Sequence, residues 1–256
     1  MKFLKLRCIP RLAVGVLACG LSACALQTKS FNYAIPDQPN DPVGYQEKPG
    51  WATQGFAVAA ANPLATDAGY QILLSGGSAI DAAIAVHFAL AVVHPAAGNI
   101  GGGGFLLART NNGKLIGLDF REAAPAKANR DMYLDEKGNP ISSKSLEGPL
   151  ASGIPGSVSG MFVAHTHAKL PMAQLLEPAI ELAEYGHALT EKEASSLNSV
   201  KGELLKLSSA PSAYTKKTKW VKGDTIFQPE LAATLRRIQQ NGLAGFYEGI
   251  TADLIV

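Results

Sequence analysis

Few side chains in this sequence have the type and spacing that chemistry requires. Gly156-Ser157-Val158-Ser159-Gly160 approaches the strained serine turn of a hydrolase, but its serines flank the central place instead of filling it. His165 and His167 are two apart, which puts them on different faces of a helix, and no His-Glu-x-x-His occurs, so no metal site is expected. His87 lies in an apolar run and reads as a hydrogen-bonded core residue. His94 before Pro95 and His187 after Gly186 read as residues at helix ends. Arg121 has a different character. It closes a strand pattern between Asp119-Phe120 and Glu122, where by itself it reads first as a strand-end ion pair with either acidic neighbour. The residues alone offer no nucleophile–base pair.

The elements that must position Arg121 follow from patterning. Gly55–Ala60 is a short apolar run and is expected as a buried strand. Asn62-Pro63 opens a helix, with asparagine as cap and proline at the first helical place, and Gly76-Gly77 ends it. Ser78 caps the next helix with Asp81 near its positive end. Residues 79–93 are apolar on nearly every face, which describes a buried helix too short to span a bilayer. Gly101–Gly104 then precede a strand. A phosphate loop follows a strand and opens a helix, so that reading fails and close backbone approach remains. Phe105–Thr110 and Leu115–Arg121 are strands joined by Asn111-Asn112-Gly113, a hairpin signal.

Residues 122–155 are irregular. Met172–Tyr185 is helical, with Pro178 expected to break or kink it. Thr190 and Glu193 form a capping box for a helix towards Leu207. A loop with Lys216, Lys217, Lys219 and Lys222 reads as a solvated surface, and Pro229–Gln239 is another helix. Phe246 and Tyr247 are expected in the core. The last residues, Ile250–Val256, begin an apolar helical pattern that no capping residue closes, so the chain is expected to be cut from something longer.

The chain has 256 residues, 47% hydrophobic and 17% charged, enough for a buried core and unlike a disordered chain. Its net charge of +2 owes its sign to Lys2, Lys5, Arg7 and Arg11, and no basic stripe suggests nucleic acid. These residues and the apolar Leu12–Leu21 read as an export signal spanning 1–23. Leu21-Ser22-Ala23-Cys24 resembles a bacterial lipobox. That resemblance implies lipidation at Cys24, a membrane held through the lipid, and a periplasmic or cell-envelope location. Ala23-Cys24-Ala25 also fits ordinary cleavage, which would leave a soluble periplasmic protein. Cys8, Cys19 and Cys24 are the only cysteines, so the exported remainder has no internal disulfide to form. Residues 24–50, with Pro36, Pro39, Pro42 and Pro49, read as anchor and tether, and 51–256 as the folded part.

Residues 55–250 resemble the large subunit of the γ-glutamyltranspeptidases. The resemblance rests on motifs in order: Asn62-Pro63-Leu64-Ala65, Gly76-Gly77 and Asp81-Ala82-Ala83; His94-Pro95, Gly98-Asn99-Ile100 and the four glycines; Asp119-Phe120-Arg121-Glu122 with Ala124-Pro125-Ala126; Gly153-x-Pro155-Gly156; and Pro178-Ala179-Ile180 with Gly186. It implies an α+β chain holding part of an N-terminal-nucleophile hydrolase αββα sandwich. It further implies a precursor that cleaves itself and frees a threonine at the start of a small subunit. That threonine attacks a γ-glutamyl amide such as glutathione, with its own amine as base and no cofactor, and passes the acyl group to water or an amino acid. The family's nucleophile segment, Thr-Thr-His-x-Ser, does not occur in these residues, so no catalytic residue is assigned here. Arg121 matches the family arginine expected to grip the substrate α-carboxylate. The alternatives are an inert lipoprotein with the same partial fold and a related acylase.

Overall fold

The computed structural model describes Thr53, residues 55–208 and residues 210–256. The proposed signal segment, Cys24 and the tether lie outside the described residues. Two helices open the fold, α1 (Pro63–Leu74) and α2 (Ala79–Val93), followed by the hairpin strands β1 (Phe105–Arg109) and β2 (Leu115–Asp119). After a long irregular stretch come α3 (Ser142–Leu146), a 3-10 turn at Pro149–Ala151, α4 (Ser157–His165) and α5 (Met172–Tyr185). The rest is β3 (His187–Ala188), α6 (Glu191–Leu207), β4 (Thr225–Ile226), α7 (Pro229–Asn241), α8 (Ala244–Tyr247) and α9 (Gly249–Ile255). β1 pairs antiparallel with β2, and β3 with β4, as two separate small sheets.

The core is α2 packed against α1, α4 and α5, with α7 behind α5. Ile84, Phe88 and Val92 of α2 meet Leu175, Leu176 and Ile180 of α5 in one continuous apolar cluster. α2 has no polar face of its own, so its ends are closed by distant groups. At its start Ser78 and Asp81 form the expected capping box. The fully buried Asp81 carboxylate also accepts the amides of Lys169 and Leu170 at 3.0 and 2.8 Å. Burial pushes this carboxyl up. The Ser78 hydroxyl and the amides of Leu170, Ser78 and Lys169 outweigh that and hold it below the ordinary carboxylate value. At the other end Asn62 Nδ2 donates to the Val93 carbonyl at 3.0 Å, and Gln228 Nε2 to that of Val92 at 2.8 Å.

Asn62 caps α1 and Thr190 with Glu193 caps α6, both as expected. Two expectations fail. Gly55–Ala60 forms no strand: it joins no β-ladder among the described residues, the Ala60 amide donates to Thr66 Oγ1 at 3.1 Å instead, and its side chains are exposed or half-buried. Phe56 instead lies against Tyr70 of α1, with ring centroids 5.4 Å apart. An apolar run becomes a strand only where another strand offers its edge. Pro178 does not break α5, which is continuous through it. The proline is buried in the face that α5 turns to the core, and that packing overrides the missing amide.

The hairpin shows one buried and one bare face. Leu106, Ala108, Ile116 and Leu118 turn towards the protein, while Phe105, Leu107 and Leu115 are 68%, 82% and 66% exposed on the other side. Three large apolar side chains on one sheet face constitute a surface suited to contact, not to water.

Candidate substrate-binding site

Arg121 stands two residues beyond β2, on a backbone held from both sides. Gly104 exchanges backbone hydrogen bonds with Phe120, and Ala123 with Ile154. The amides of Gly156 and Ser157, at the start of α4, both donate to the Gly102 carbonyl, at 2.8 and 2.9 Å. The segment Phe120–Ala123 is thus threaded between the glycine run and the 153–157 loop. Neither wall has room for a side chain. A Cβ on Gly103 would fall 2.6 Å from the Phe120 oxygen and 2.7 Å from Arg121 Cα, and one on Gly156 would lie 2.8 Å from the Arg121 oxygen. The run that resembled a phosphate loop therefore packs backbone on backbone.

The Arg121 side chain is exposed. Asp119 accepts the Arg121 backbone amide at 3.1 Å. Among the described residues no ion pair joins the guanidinium to Asp119 or Glu122. Arg236, by contrast, grips Glu184 through two bonds of 2.7 and 2.6 Å, holding that carboxyl below its ordinary value. Arg121 keeps its fork available to a ligand.

Beneath Arg121 the Phe120 ring is buried, edge-on to His87 with centroids 6.3 Å apart. His87 corrects an expectation. Its Nε2 is buried without a hydrogen-bond partner, because the rings of Phe88 and Phe120 beside it offer none. Burial pushes its imidazole down to about 4, so it is neutral near pH 7. His165 Nε2 meets the Leu170 carbonyl at 2.8 Å, and among the described residues no group of three His, Cys, Asp or Glu is placed to hold a metal. In the lysine loop, Lys217 pairs with Asp224 and lies over the Trp220 ring, and Lys216 reaches Glu230 at 3.7 Å, as a solvated surface would. Among the described residues no helix is long and apolar enough to cross a membrane.

The sequence reading missed the residues that seat Arg121 from below. The Tyr247 hydroxyl donates to the Pro155 carbonyl at 2.8 Å and accepts the Ser159 amide at 3.2 Å, pinning the 153–157 loop to the start of α4. Tyr247 reads locally as one more aromatic of an apolar patch, and only its partners 88 and 92 residues away give it this task.

This glycine-walled hairpin, with an arginine free at its end, falls within the N-terminal-nucleophile hydrolases, of whose fold the chain holds part. Within that class the chain belongs to the γ-glutamyltranspeptidase family, whose model matches residues 65–256. It is 41% identical over 251 residues to the glutathione hydrolase proenzyme of Escherichia coli, covering 96% of this chain and 42% of that protein. The crystal structure of Helicobacter pylori γ-glutamyltranspeptidase superposes with a TM-score of 0.77 at 44% identity, over 81% of this chain and 60% of that one. A cephalosporin acylase from Bacillus halodurans is more distant, with a TM-score of 0.66 at 28% identity over 85% of this chain and 42% of that one. The chain thus spans less than half the length of the curated relative.

Proposed function

We propose that this chain supplies the large-subunit part of a γ-glutamyltransferase or glutathione hydrolase, and that Arg121 binds the α-carboxylate of the γ-glutamyl group. The carrying observation is an exposed guanidinium, free of ion pairs among the described residues, on a backbone that two glycine walls prevent from shifting. A free α-carboxylate distinguishes a γ-glutamyl group from a plain acyl amide, and a forked cation recognises it through paired hydrogen bonds. Held there, the substrate presents its γ-carbonyl at a fixed distance to a nucleophile contributed by a small subunit. The acyl-enzyme then passes to water or to an amino acid. The bare face of Phe105, Leu107 and Leu115 supports a second body of protein packed against the hairpin.

The test compares residues 24–256 alone with a full-length precursor in which the same residues continue through the rest of a large subunit to a small subunit that begins Thr-Thr-His-x-Ser. Alone, it is expected to release no product from a chromogenic γ-glutamyl anilide and to melt without cooperativity, binding a hydrophobic dye through the bare hairpin face. Turnover by the chain alone would sink the reading, and a cooperative monomeric melt would sink its folding half.

We also infer export and anchoring through a lipid on Cys24. The basic start, the short apolar stretch and Leu21-Ser22-Ala23-Cys24 support this. Cys24→Ser is expected to move the protein from the membrane fraction to the soluble envelope fraction or leave it unprocessed. One acyl chain anchors only marginally, so retention depends on the several chains that lipoprotein processing adds. A wild-type protein already soluble, with a mature start other than Cys24, counts against the anchor.

A further inference from the structure

Arg121 is exposed, yet the ring of the residue before it is buried, with a glycine against it on two sides. The Phe120 ring enters the core between α2 and α4, and three surfaces close on it. A Cβ on Gly160, in the second turn of α4, would stand 2.5 Å from Phe120 Cβ and 2.7 Å from Cδ1, so the helix touches the ring only because that position is a glycine. A Cβ on Gly104 would stand 2.9 Å from Phe120 Cε2. The His87 imidazole lies edge-on at 6.3 Å with no hydrogen bond from Nε2 to turn it elsewhere. The peptide is held too: Phe120 N donates to the Gly104 carbonyl at 3.0 Å and its oxygen accepts the Gly104 amide at 3.3 Å. The Arg121 backbone shares this seat, with Gly103 and Gly156 against it and its amide on Asp119, but its exposed side chain is gripped by no ion pair among the described residues, so the fork goes where the backbone beside the anchored ring sends it.

We propose that Phe120 is a positioning residue for substrate binding, and that the ring's seat on Gly160 sets where the Arg121 fork meets the α-carboxylate. This inference rests on the reading of Arg121 as the carboxylate-binding residue. It extends that reading from the exposed arginine to a buried aromatic and a helix glycine with no access to substrate. The physical link is short. Any side chain at 160 displaces the ring, the ring carries its own Cα, and the next residue is Arg121. A bidentate contact is sensitive to shifts on the order of 1 Å.

The experiment uses the processed two-subunit enzyme with Gly160→Ala, Phe120→Leu and Arg121→Ala, and two anilide substrates. One carries the γ-glutamyl group. The other carries the 4-aminobutyryl group, which is the same acyl chain without the α-carboxylate. Gly160→Ala and Phe120→Leu are each expected to raise KM for the γ-glutamyl anilide about tenfold with kcat held within about twofold. For the 4-aminobutyryl anilide, kcat/KM should stay at the wild-type level, because no carboxylate is there to be misplaced. Phe120→Leu keeps most of the buried volume and guards against failure of Gly160→Ala to fold or process. Equal losses on both substrates in Phe120→Leu would mean general damage to the fold and overturn the proposal. Unchanged KM in Phe120→Leu would overturn it as well. Arg121→Ala separates the two levels. If it discriminates between the substrates as wild type does, the carboxylate reading fails and takes this inference with it. If it loses discrimination while Phe120→Leu keeps it, only the positioning role fails.

Discussion

Arg121→Ala in the processed two-subunit enzyme is expected to raise KM for a γ-glutamyl anilide by about one to two powers of ten. Losing a charged hydrogen-bonded pair of this kind costs roughly 1.5–3 kcal/mol. If the contact is equally strong in ground and transition states, kcat barely changes. Arg121→Lys keeps the charge but loses the fork, so it too should be impaired. Self-cleavage of the precursor does not involve the substrate carboxylate and should survive both changes. The measurement is kcat and KM for the two variants beside a gel of processing. A normal KM in processed Arg121→Ala enzyme would remove the residue from the site.

Asp81 carries the largest expected effect on stability. Its carboxylate is fully buried and bound by Ser78 and by the amides of Lys169 and Leu170. Asp81→Ala leaves those buried donors without an acceptor, at a cost of roughly 3 kcal/mol or more. The melting temperature of the processed enzyme should fall by several degrees. The pH dependence has a definite sign. The folded carboxyl titrates below its ordinary value of 3.8. Its stabilisation is therefore fully present above the unfolded value and is lost as pH falls through the lower folded one. Asp81→Asn resembles the protonated form, so its deficit against wild type should be constant near neutrality and shrink in strong acid. Parallel melting curves for Asp81→Asn and wild type across the neutral range, with no gap between them, would show that the amides of Lys169 and Leu170 do not need the charge.

Local signals were legible where a residue acts on its own neighbourhood. Asn62, Ser78 with Asp81, and Thr190 with Glu193 cap helices within a few residues of themselves, so spacing alone reveals them. Asn111-Asn112-Gly113 turns the hairpin, with Gly113 at φ +84°, for the same reason. The expectations that failed concerned partners far away in sequence. Gly55–Ala60 lacks an adjoining strand among the described residues, and Pro178 is tolerated because α5 is enclosed. His87 found aromatic rings where a hydrogen-bond partner was expected. At the site, Arg121 was visible through its motif, but its seat was not. Gly160 stands out in sequence only as the end of a serine turn that does not match, Phe120 as a strand-end aromatic and Tyr247 as a core residue; the contact of Gly160 with Phe120 and the bonds of Tyr247 to Ser159 and Pro155 give them a task.

The closure of α2 bears on how the chain is made. Its Val92 carbonyl waits for Gln228, 136 residues later, and the Asp81 carboxylate for amides 88 and 89 residues later. Contacts of such separation slow folding, because the intervening loop must be closed before they form. At about 5–20 residues per second, synthesis leaves this largely apolar helix without its late partners for on the order of ten seconds. During that interval it resembles the hydrophobic segments that holding chaperones bind. Helix α2 is thus a part of the nascent chain in need of protection, although in the finished fold most of its residues are buried.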